Sequence, residues 1–483
     1  MKLRDLLRGV AVVSSNADFD MEIPVVAYDS RKVTPGGMFV AISGFASDGN
    51  RFIPMAMEKG AAVIITGKKP QEDVPYVQVE NDRLALALIG SNYYGEPAKA
   101  LTLIGVTGTN GKTSTTWLLK QVLEKVTGGM AGLIGTMENR IGDEVLPTDR
   151  TTPESFELQG LFARMRDAGC RYCIMEVSSH AIALDRVGGV HFDVAAFTNL
   201  TEDHLDFHKT MEDYCDTKAV IFSRCDAAVL NRDDAWFTRI SRLAQCPKIT
   251  TSAKETAGIQ AKDVQLLSDG IRFTAVNCGG EIPVSVPIPG RFTVYNVLTV
   301  LGIVQALGVD LSAAVKALAN AEGVRGRVEV VPTPGKPYTV LIDYAHTPDG
   351  LDNVLRSVRD FCKGRLISVF GCGGDRDPIK RPIMGRIGAE LSDVAVITSD
   401  NPRTEDPMAI IEDVLKGIDS AAKNVEVIEN RKKAIQYAMD IGQKDDIIVL
   451  AGKGHETYQE ICGVKHHLDE REVVAAYLQG VRI

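Results

Sequence analysis

The most constraining feature of this 483-residue chain is a glycine-rich turn between an apolar run and a helix start, LTLIGVTGTNGKTSTTWLL at residues 101–119. A strand that ends in such a turn and opens a helix brings backbone N–H groups and the helix N-terminus together, where they attract phosphate. Lys112 adds a cation, and Thr113 adds a hydroxyl for Mg²⁺. The strict pattern GxxxxGK[ST] fails by one residue, because Val106 stands at its first glycine. The segment predicts a nucleotide-binding loop, with a tight βα turn and a solvated lysine as the alternative.

Apolar strand patterns and helical patterns alternate along most of the chain, which implies parallel sheets covered by helices. We therefore predict an α/β fold with three domains: a smaller N-terminal α/β domain at residues 1–97, a central P-loop-type parallel-sheet ATPase domain at 98–325, and a C-terminal Rossmann-like α/β domain at 326–483. The predicted strands of the third domain are Val340–Tyr344, Leu366–Phe370, Val394–Thr398, Val425–Ile428 and Ile447–Ala451. Ligands of such sheets bind at the carboxyl ends of the strands.

The composition of the chain limits the kinds of partner that it is expected to bind. The formal net charge is -9, which argues against binding a nucleic acid polymer through broad electrostatic attraction. No apolar run approaches the roughly 18 residues of a spanning helix, and the first residues do not form an export signal. The nine cysteines are scattered, as in a reduced protein. We therefore expect a cytoplasmic monomer that binds neither membrane nor nucleic acid.

A series of motifs resembles the Mur ligase family over essentially the whole chain. The loop TGTNGKTS is similar to the ATP loop of that family, and DSRKVTPGGMFVAISG at residues 29–44 resembles the uridine-nucleotide motif of its muramyl-tripeptide ligases. The other matching motifs are TTPE (151–154), MEVSSHA (175–181), FTNLTEDHLDFH (197–208), DYAHTPD (343–349), GCGGDRD (371–377), DNPRTEDP (400–407) and AGKGHE (451–456).

The resemblance implies a ligase of peptidoglycan precursor synthesis that uses ATP and Mg²⁺. In the family reaction, ATP phosphorylates a carboxylate and an amine then attacks the acyl phosphate. The implied catalytic residues are Lys112, Lys218, His204 and Arg327, and the implied Mg²⁺ ligands are Thr113, Glu176, His204 and Lys218, the last as a carbamate (N6-carboxylysine). The implied ATP contacts are Gly108, Thr109, Asn110, Gly111, Lys112, Thr113, Ser114, Asn296 and Asp343. Without the resemblance, Lys218 would be interpreted as an exposed helical lysine.

The implied carboxylate substrate is UDP-N-acetylmuramoyl-L-alanyl-D-glutamate. The residues expected to bind it are Ser30, Thr151, Thr152, Ser178 and Arg186, and the loop at 44–49 is expected to border the uracil. Short hydroxyls and an arginine suit a diphosphate and a uracil. One departure is Leu184, where the family frequently has glutamine.

The DNPR motif decides the expected amine substrate, meso-2,6-diaminopimelate. Diaminopimelate differs from lysine by a carboxylate at its far end, and the planar fork of Arg403 can bind that carboxylate bidentately. The expected binding residues are Arg376, Asp400, Asn401, Pro402, Arg403, Gly452 and Glu456. Taken alone, Asp400–Arg403 is also typical of a turn.

Two other functions stay open on the sequence alone. A folylpolyglutamate synthetase would share the ATP loop, but it has no reason to carry the DSR and DNPR motifs. A catalytically silent sensor of a UDP-sugar or nucleotide would be expected to have lost Lys112, Glu176 or His204, and the chain retains all three.

Overall fold

The computed structural model describes residues 1–44, 48–71 and 73–481. They form two compact units: the first comprises Met1–Gly258 and Thr299–Ala314, and the second comprises Ile259–Leu298 and the residues from Val315 onward. Parallel strands alternate with helices in both, which confirms the predicted α/β class. No helix in these described ranges has the length and hydropathy that crossing a membrane requires.

The N-terminal part of the first unit is built on a five-stranded sheet in the order β1-β5-β4-β3-β2, in which β2, β3, β4 and β5 run parallel and β1 is antiparallel. Buried apolar side chains cover both faces of this sheet. Its elements in chain order are α1 (Leu3–Leu6), β1 (Val12–Ser15), β2 (Val26–Ala27), β3 (Met38–Ala41), α2 (Ile53–Glu58), β4 (Val63–Thr66), β5 (Tyr76–Val79) and α3 (Asp82–Tyr93), with 3₁₀ turns at Ser30–Lys32, Gly49–Phe52 and Pro97–Ala100.

The rest of the first unit centres on a sheet in which β13, β12, β11, β6, β10 and β7 are neighbours in that order and run parallel, followed by antiparallel β8 and β9. Its elements are β6 (Thr102–Thr107), α4 (Lys112–Thr127), β7 (Ala131–Ile134), β8 (Asn139–Ile141), β9 (Glu144–Leu146), α5 (Ser155–Asp167), β10 (Tyr172–Glu176), α6 (Ser179–Ala183), β11 (Phe192–Phe197), α7 (Leu205–His208), α8 (Met211–Ala219), a 3₁₀ turn at Val220–Ser223, β12 (Cys225–Asn231), α9 (Phe237–Leu243) and β13 (Lys248–Ser252). Strand β6 lies between β10 and β11, so the loop that follows it emerges at the middle of the carboxyl edge.

The second unit begins with an antiparallel meander. Its three strands are β14 (Ile259–Leu267), β15 (Gly270–Asn277) and β16 (Gly280–Val286). Two helices follow, α10 (Arg291–Ala306) and α11 (Leu311–Leu318), and each of them is divided between the two units.

The main sheet of the second unit has the order β17-β18-β22-β19-β20-β21, and only the edge strand β17 is antiparallel among these six. Apolar cores cover both faces. The elements are β17 (Glu329–Val331), β18 (Thr339–Asp343), α12 (Pro348–Arg359), β19 (Leu366–Phe370), α13 (Lys380–Leu391), β20 (Val394–Ile397), α14 (Pro407–Leu415), β21 (Val425–Val427), α15 (Arg431–Ile441), β22 (Ile447–Ala451), a hairpin of β23 (Tyr458–Ile461) and β24 (Val464–His467), and α16 (Glu470–Leu478). The five predicted strands all occur, three of them ending one residue earlier than predicted.

Candidate active site

The glycine-rich turn joins β6 to α4, as the sequence predicts, and it packs against the segment that follows β11. Gly108 has a φ of +147°, and a Cβ there would lie 1.9 Å from the Thr198 hydroxyl oxygen. Thr109 donates its backbone N–H to the carbonyl of Asn199 (2.8 Å). The turn therefore depends on glycine for both its backbone conformation and its close contact with the neighbouring loop.

Two lysines converge on this turn. The Lys112 ammonium donates to the carbonyls of Gly108 (2.9 Å) and Thr109 (2.7 Å). Lys218, on α8, also donates to the Gly108 carbonyl (2.9 Å), and its Nζ lies 4.6 Å from the centre of the Tyr214 ring. Burial, together with the charge of Lys112, holds the pKa of Lys218 well below its ordinary value. A lowered pKa increases the fraction of the lysine that is a free amine. Lys218 is 1% exposed, so the alternative interpretation of an exposed helical lysine is wrong.

The three other residues expected to bind Mg²⁺ lie at the same edge of the sheet. Thr113 is in the first turn of α4. Glu176 ends β10, is 1% exposed and accepts hydrogen bonds from the backbone N–H (2.9 Å) and hydroxyl (3.0 Å) of Thr136. His204 precedes α7 with a φ of +54°, and its ring makes an edge contact with that of His180 (4.9 Å between centroids).

This donor set fits a magnesium ion that arrives with phosphate. Within the described ranges, no three His, Cys, Asp or Glu side chains cluster closely enough to hold a metal by themselves. Mg²⁺ usually takes one or two carboxylates from the protein and completes its shell with water and phosphate oxygens. A hydroxyl, a carboxylate and an imidazole beside a phosphate loop are sufficient for that mode of binding.

Four of the five residues expected to bind the UDP-sugar form one cluster. The Thr152 hydroxyl donates to the carbonyl of Glu176 (2.8 Å) and accepts from the backbone N–H of Ser178 (3.2 Å). Arg186 donates to the Thr152 carbonyl (3.2 Å), and the Thr151 hydroxyl contacts that of Thr136 (3.0 Å). This cluster is therefore continuous with the end of β10.

The fifth residue, Ser30, lies in a 3₁₀ turn of the N-terminal sheet. That turn is capped by Asp29, whose carboxylate accepts from the backbone of Arg31, and the Ser30 hydroxyl faces the sulfur of Met55 (3.3 Å). No hydrogen bond within the described residues joins the Ser30 side chain to the cluster at Thr152. Residues 45–47 of the loop expected to border the uracil lie outside the described residues.

A cavity of about 610 Å³ lies beside this cluster and was not anticipated from the sequence. It is lined by polar and charged side chains, among them Tyr28, Lys32, Asn139, Arg150, Glu154 and Arg164. Glu154 connects the cavity to Arg186, since its carboxylate accepts from Arg186 (2.9 Å), Arg150 (3.0 Å) and Arg83 (3.4 Å). Lys32 of DSRK and Glu154 of TTPE both line this cavity, which neither motif indicates by itself.

In the second unit, the residues expected at the nucleoside are ordered by backbone contacts. Asp343 ends β18 and accepts from the N–H groups of Val328 and Ala345, each at 2.8 Å. Burial raises the pKa of Asp343, and the charge of Arg327 opposes that rise. The Arg327 guanidinium lies 5.5 Å from the centre of the Tyr344 ring. Asn296 is a buried residue of α10.

The DNPR motif follows β20, and AGKGHE begins at the end of the nearby β22. Asn401 donates its side-chain N–H to Glu456 (2.9 Å), so the two motifs are in direct contact. Gly452 has a φ of +116°, and a Cβ there would lie 2.6 Å from an Asp400 carboxylate oxygen. Pro402 packs against the GGDRD loop, because a Cβ at Gly374 would lie 1.9 Å from its carbonyl oxygen. Arg376, in that loop, is exposed.

Arg403 is held in one orientation by groups that the sequence did not indicate. It has a φ of +53°, donates through one terminal nitrogen to the Gly374 carbonyl (2.6 Å), and places Nε 3.3 Å from the Glu460 carboxylate. Glu460 belongs to the β23–β24 hairpin, whose Gln459 also donates to the Asp400 carbonyl (2.6 Å). Nothing in the local sequence of the hairpin marks it as part of the site.

Beneath these loops lies a set of charged side chains whose burial the sequence did not indicate. Lys453 and Arg431 are completely buried, and both lie near the Asp400 carboxylate, at 3.7 and 3.8 Å. Arg431 also pairs with the buried Glu470 (2.8 Å).

Comparison with known proteins relates successive parts of this chain to one protein family. Family models match residues 22–94 (Mur ligase family, catalytic domain), 106–304 (Mur ligase middle domain) and 326–454 (Mur ligase, glutamate ligase domain). The UDP-N-acetylmuramoyl-L-alanyl-D-glutamate--2,6-diaminopimelate ligase of Clostridium tetani is 47% identical, over 99% of each chain.

Solved structures agree with the relationship. The structure of a UDP-N-acetylmuramoyl-L-alanyl-D-glutamate--2,6-diaminopimelate ligase has a TM-score of 0.78 at 30% identity, covering 99% of both chains. The MurF ligase of Thermotoga maritima in complex with ADP shares the fold, with a TM-score of 0.59 at 19% identity over 94% of this chain and 97% of that one. With full-length identity near one half and three successive family domains, this chain belongs to the Mur ligase family.

Proposed function

We propose that this chain is the ATP-dependent ligase that joins an amine of meso-diaminopimelate to the D-glutamate carboxylate of UDP-N-acetylmuramoyl-L-alanyl-D-glutamate. It would act in the cytoplasm, as a monomer, in the synthesis of peptidoglycan precursors. The observation that carries the proposal is the contact between DNPR and AGKGHE, in which the Asn401 side chain donates to the carboxylate of Glu456. Arg403 belongs to the first motif and Glu456 to the second, so the two loops together offer a guanidinium and a carboxylate. Such a pair of charges suits a ligand end that carries both a carboxylate and an ammonium.

The first chemical step is phosphoryl transfer. A carboxylate oxygen of the D-glutamate attacks the γ-phosphorus of ATP, so that an acyl phosphate forms and ADP leaves. The glycine-rich turn from Gly108 to Ser114 would bind the phosphates through its backbone N–H groups, and Lys112 would neutralise their charge. In this view the contacts of Lys112 with backbone carbonyls hold its side chain, before ATP binds, close to the position that the phosphates will occupy.

In the second step, the amine nitrogen attacks the acyl carbon and inorganic phosphate leaves. The product is an amide, and the amine releases a proton. Arg327 would stabilise negative charge on the acyl phosphate, and Asp343 would accept the ribose hydroxyls beside Asn296. Bound Mg²⁺ would neutralise phosphate charge, with Thr113, Glu176 and His204 as protein ligands of one ion and the carbamate of Lys218 as a ligand of a second.

Selection of diaminopimelate would depend on Arg403. A site that holds a buried polar or charged group rejects analogues that lack its partner by factors of roughly 10⁴–10⁵. L-Lysine has no far-end carboxylate, so Arg403 would keep only its contacts with the Gly374 carbonyl and the Glu460 carboxylate and would gain none from the ligand.

The decisive experiment measures ADP release from Mg-ATP and the UDP-muramyl dipeptide, with meso-diaminopimelate or L-lysine added in parallel and the tripeptide product identified by mass. We expect turnover with diaminopimelate only, and a large increase in its KM for Arg403→Ala. Turnover with lysine would contradict the role of Arg403 but retain the ligase. No turnover with either amine, despite ATP binding, would favour a folate-type ligase or a silent sensor.

A further inference from the structure

Lys453 lies between the two motifs of the amino-acid site and is the least accessible member of that site. Its side chain is 0% exposed, whereas the side chain of Glu456, three residues later, is 17% exposed. A ligand can therefore reach Glu456 while Lys453 stays out of its reach. Any role of Lys453 in binding must act through other side chains.

The Lys453 ammonium contacts three residues proposed to bind diaminopimelate. It donates to the side-chain oxygen of Asn401 (3.0 Å) and to the carboxylate of Glu456 (3.3 Å), and it lies 3.7 Å from the carboxylate of Asp400. Two of the three ammonium N–H groups are thus used in hydrogen bonds, and Asp400 contributes an ion pair beyond hydrogen-bond distance. The lysine thus ties the DNPR loop to the AGKGHE loop.

These contacts also determine which way the Asn401 amide points. Its oxygen accepts from Lys453 and from the backbone N–H of Glu460 (2.9 Å), and its nitrogen donates to Glu456. A flipped amide would place two N–H groups against an ammonium and a backbone donor. Both contacts of Glu456 are made to the same carboxylate oxygen, Oε2, so the other oxygen can receive a ligand.

The charges of this set leave a place for a cation. Three carboxylates, those of Asp400, Glu456 and Glu470, lie with two cations, Lys453 and Arg431. Buried charges are stable when they are paired. The ammonium of an amino acid, placed at the accessible oxygen of Glu456, would balance the remaining negative charge.

We propose that Lys453 is a positioning residue that holds Glu456 and Asn401 in the orientation that binds the ammonium of the amino-acid substrate. This inference rests on the proposed function, since the ligand is taken to be diaminopimelate. Lys453 itself does not touch the ligand. It sets the affinity for the amino acid and not the affinity for ATP or for the UDP-muramyl dipeptide.

The test compares Lys453→Gln, Lys453→Met and wild type by steady-state kinetics, varying one substrate at a time. Since hydrogen bonds to charged groups are among the stronger ones in proteins, we expect the KM for diaminopimelate to rise about tenfold or more, and further for Met than for Gln, which keeps the N–H donors of its amide. The KM values for ATP and the UDP-muramyl dipeptide should stay within about twofold. Lys120→Gln is the matched control, because Lys120 is also buried and pairs with Glu124 (2.7 Å) outside the site.

Several outcomes would overturn the inference. One is an unchanged KM for diaminopimelate in a folded variant. Another is an equal rise in all three KM values, because that would indicate a structural role only. If neither Lys453 variant shows cooperative unfolding but Lys120→Gln does show it, the role of Lys453 is in folding. A wild-type enzyme without turnover on diaminopimelate would instead contradict the proposed function, so the two failures are distinguishable.

Discussion

Burial gives Lys218 a chemistry that a surface lysine lacks. Its ammonium would face the Gly108 carbonyl and the Tyr214 ring, and neither of these neutralises a full positive charge. The lowered pKa therefore favours the free amine. A free amine attacks the carbon of CO₂ and loses one proton, which forms a carbamate. The carbamate would carry a negative charge beside Lys112 and provide a ligand for Mg²⁺.

We predict that Lys218→Ala lowers kcat by at least about a hundredfold, because it removes a charged group from a phosphoryl-transfer site. Bicarbonate should restore part of the activity. In wild-type protein equilibrated with ¹³C-bicarbonate, a carbamate resonance should appear and should be missing from Lys218→Ala. Lys120→Ala serves as the control, since the Lys120 ammonium pairs with Glu124 and its loss should leave the resonance in place. Full activity of Lys218→Ala would contradict the assignment.

At the scale of residues, the sequence indicated the groups that carry the chemistry of the site more fully than the residues that hold those groups in place. TGTNGKTS and DNPR carry their chemistry in consecutive residues, so each can be recognised locally. Arg431 and Glu460 are single charged residues in ordinary surroundings, and only the fold brings them to the loops that they support. Lys453 belongs to the AGKGHE motif, but a buried charge and a solvated one look alike in a sequence, so the motif does not show its burial.

At the scale of elements, predictability followed burial. The central strands β19 and β22 were predicted to the residue, because strands buried on both faces are continuous apolar runs with clear ends. The edge strand β1, with the pattern VVSS, and the three-residue strands β8, β9 and β17 were not predicted. β1, β9 and β17 are partly exposed edge strands, β8 is an inner strand, and all four have too few residues to show a period.

The conformation of the phosphate loop depends on a single glycine, Gly108, because any side chain there would clash with Thr198. We predict that Gly108→Ala abolishes detectable ATP binding, because its Cβ would overlap the Thr198 hydroxyl at a backbone φ that disfavours any side chain. Gly128→Ala, at the other end of α4, is the matched control: its φ is +68°, and no atom lies within 4 Å of the added Cβ. It should cost about 1 kcal/mol of stability and leave ATP binding unchanged. Calorimetric titration with ATP and thermal unfolding distinguish the two, and ATP binding by Gly108→Ala would contradict this account.

At the scale of the whole molecule, the two compact units divide the proposed ligand sites between them. The residues proposed for the UDP-sugar, Ser30 to Arg186, lie in the first unit, and those proposed for diaminopimelate, Arg376 to Glu456, lie in the second. Each unit has its own apolar cores. A ligand that binds one folded unit stabilises that unit by mass action. The chain therefore offers a test of the site assignments that needs no catalysis.

Both tryptophans, Trp117 and Trp236, belong to the first unit, so tryptophan fluorescence reports its unfolding while far-UV circular dichroism reports both units. At about 100 times its Kd, the UDP-muramyl dipeptide should raise the fluorescence-detected Tm by about 5–10 °C. Diaminopimelate should shift only the transition seen by circular dichroism, and Arg403→Ala should remove that shift. A fluorescence shift caused by diaminopimelate would mean that the units unfold as one or that its site lies in the first unit. Arg403→Ala separates these outcomes, because in the first it abolishes the fluorescence shift and in the second it does not.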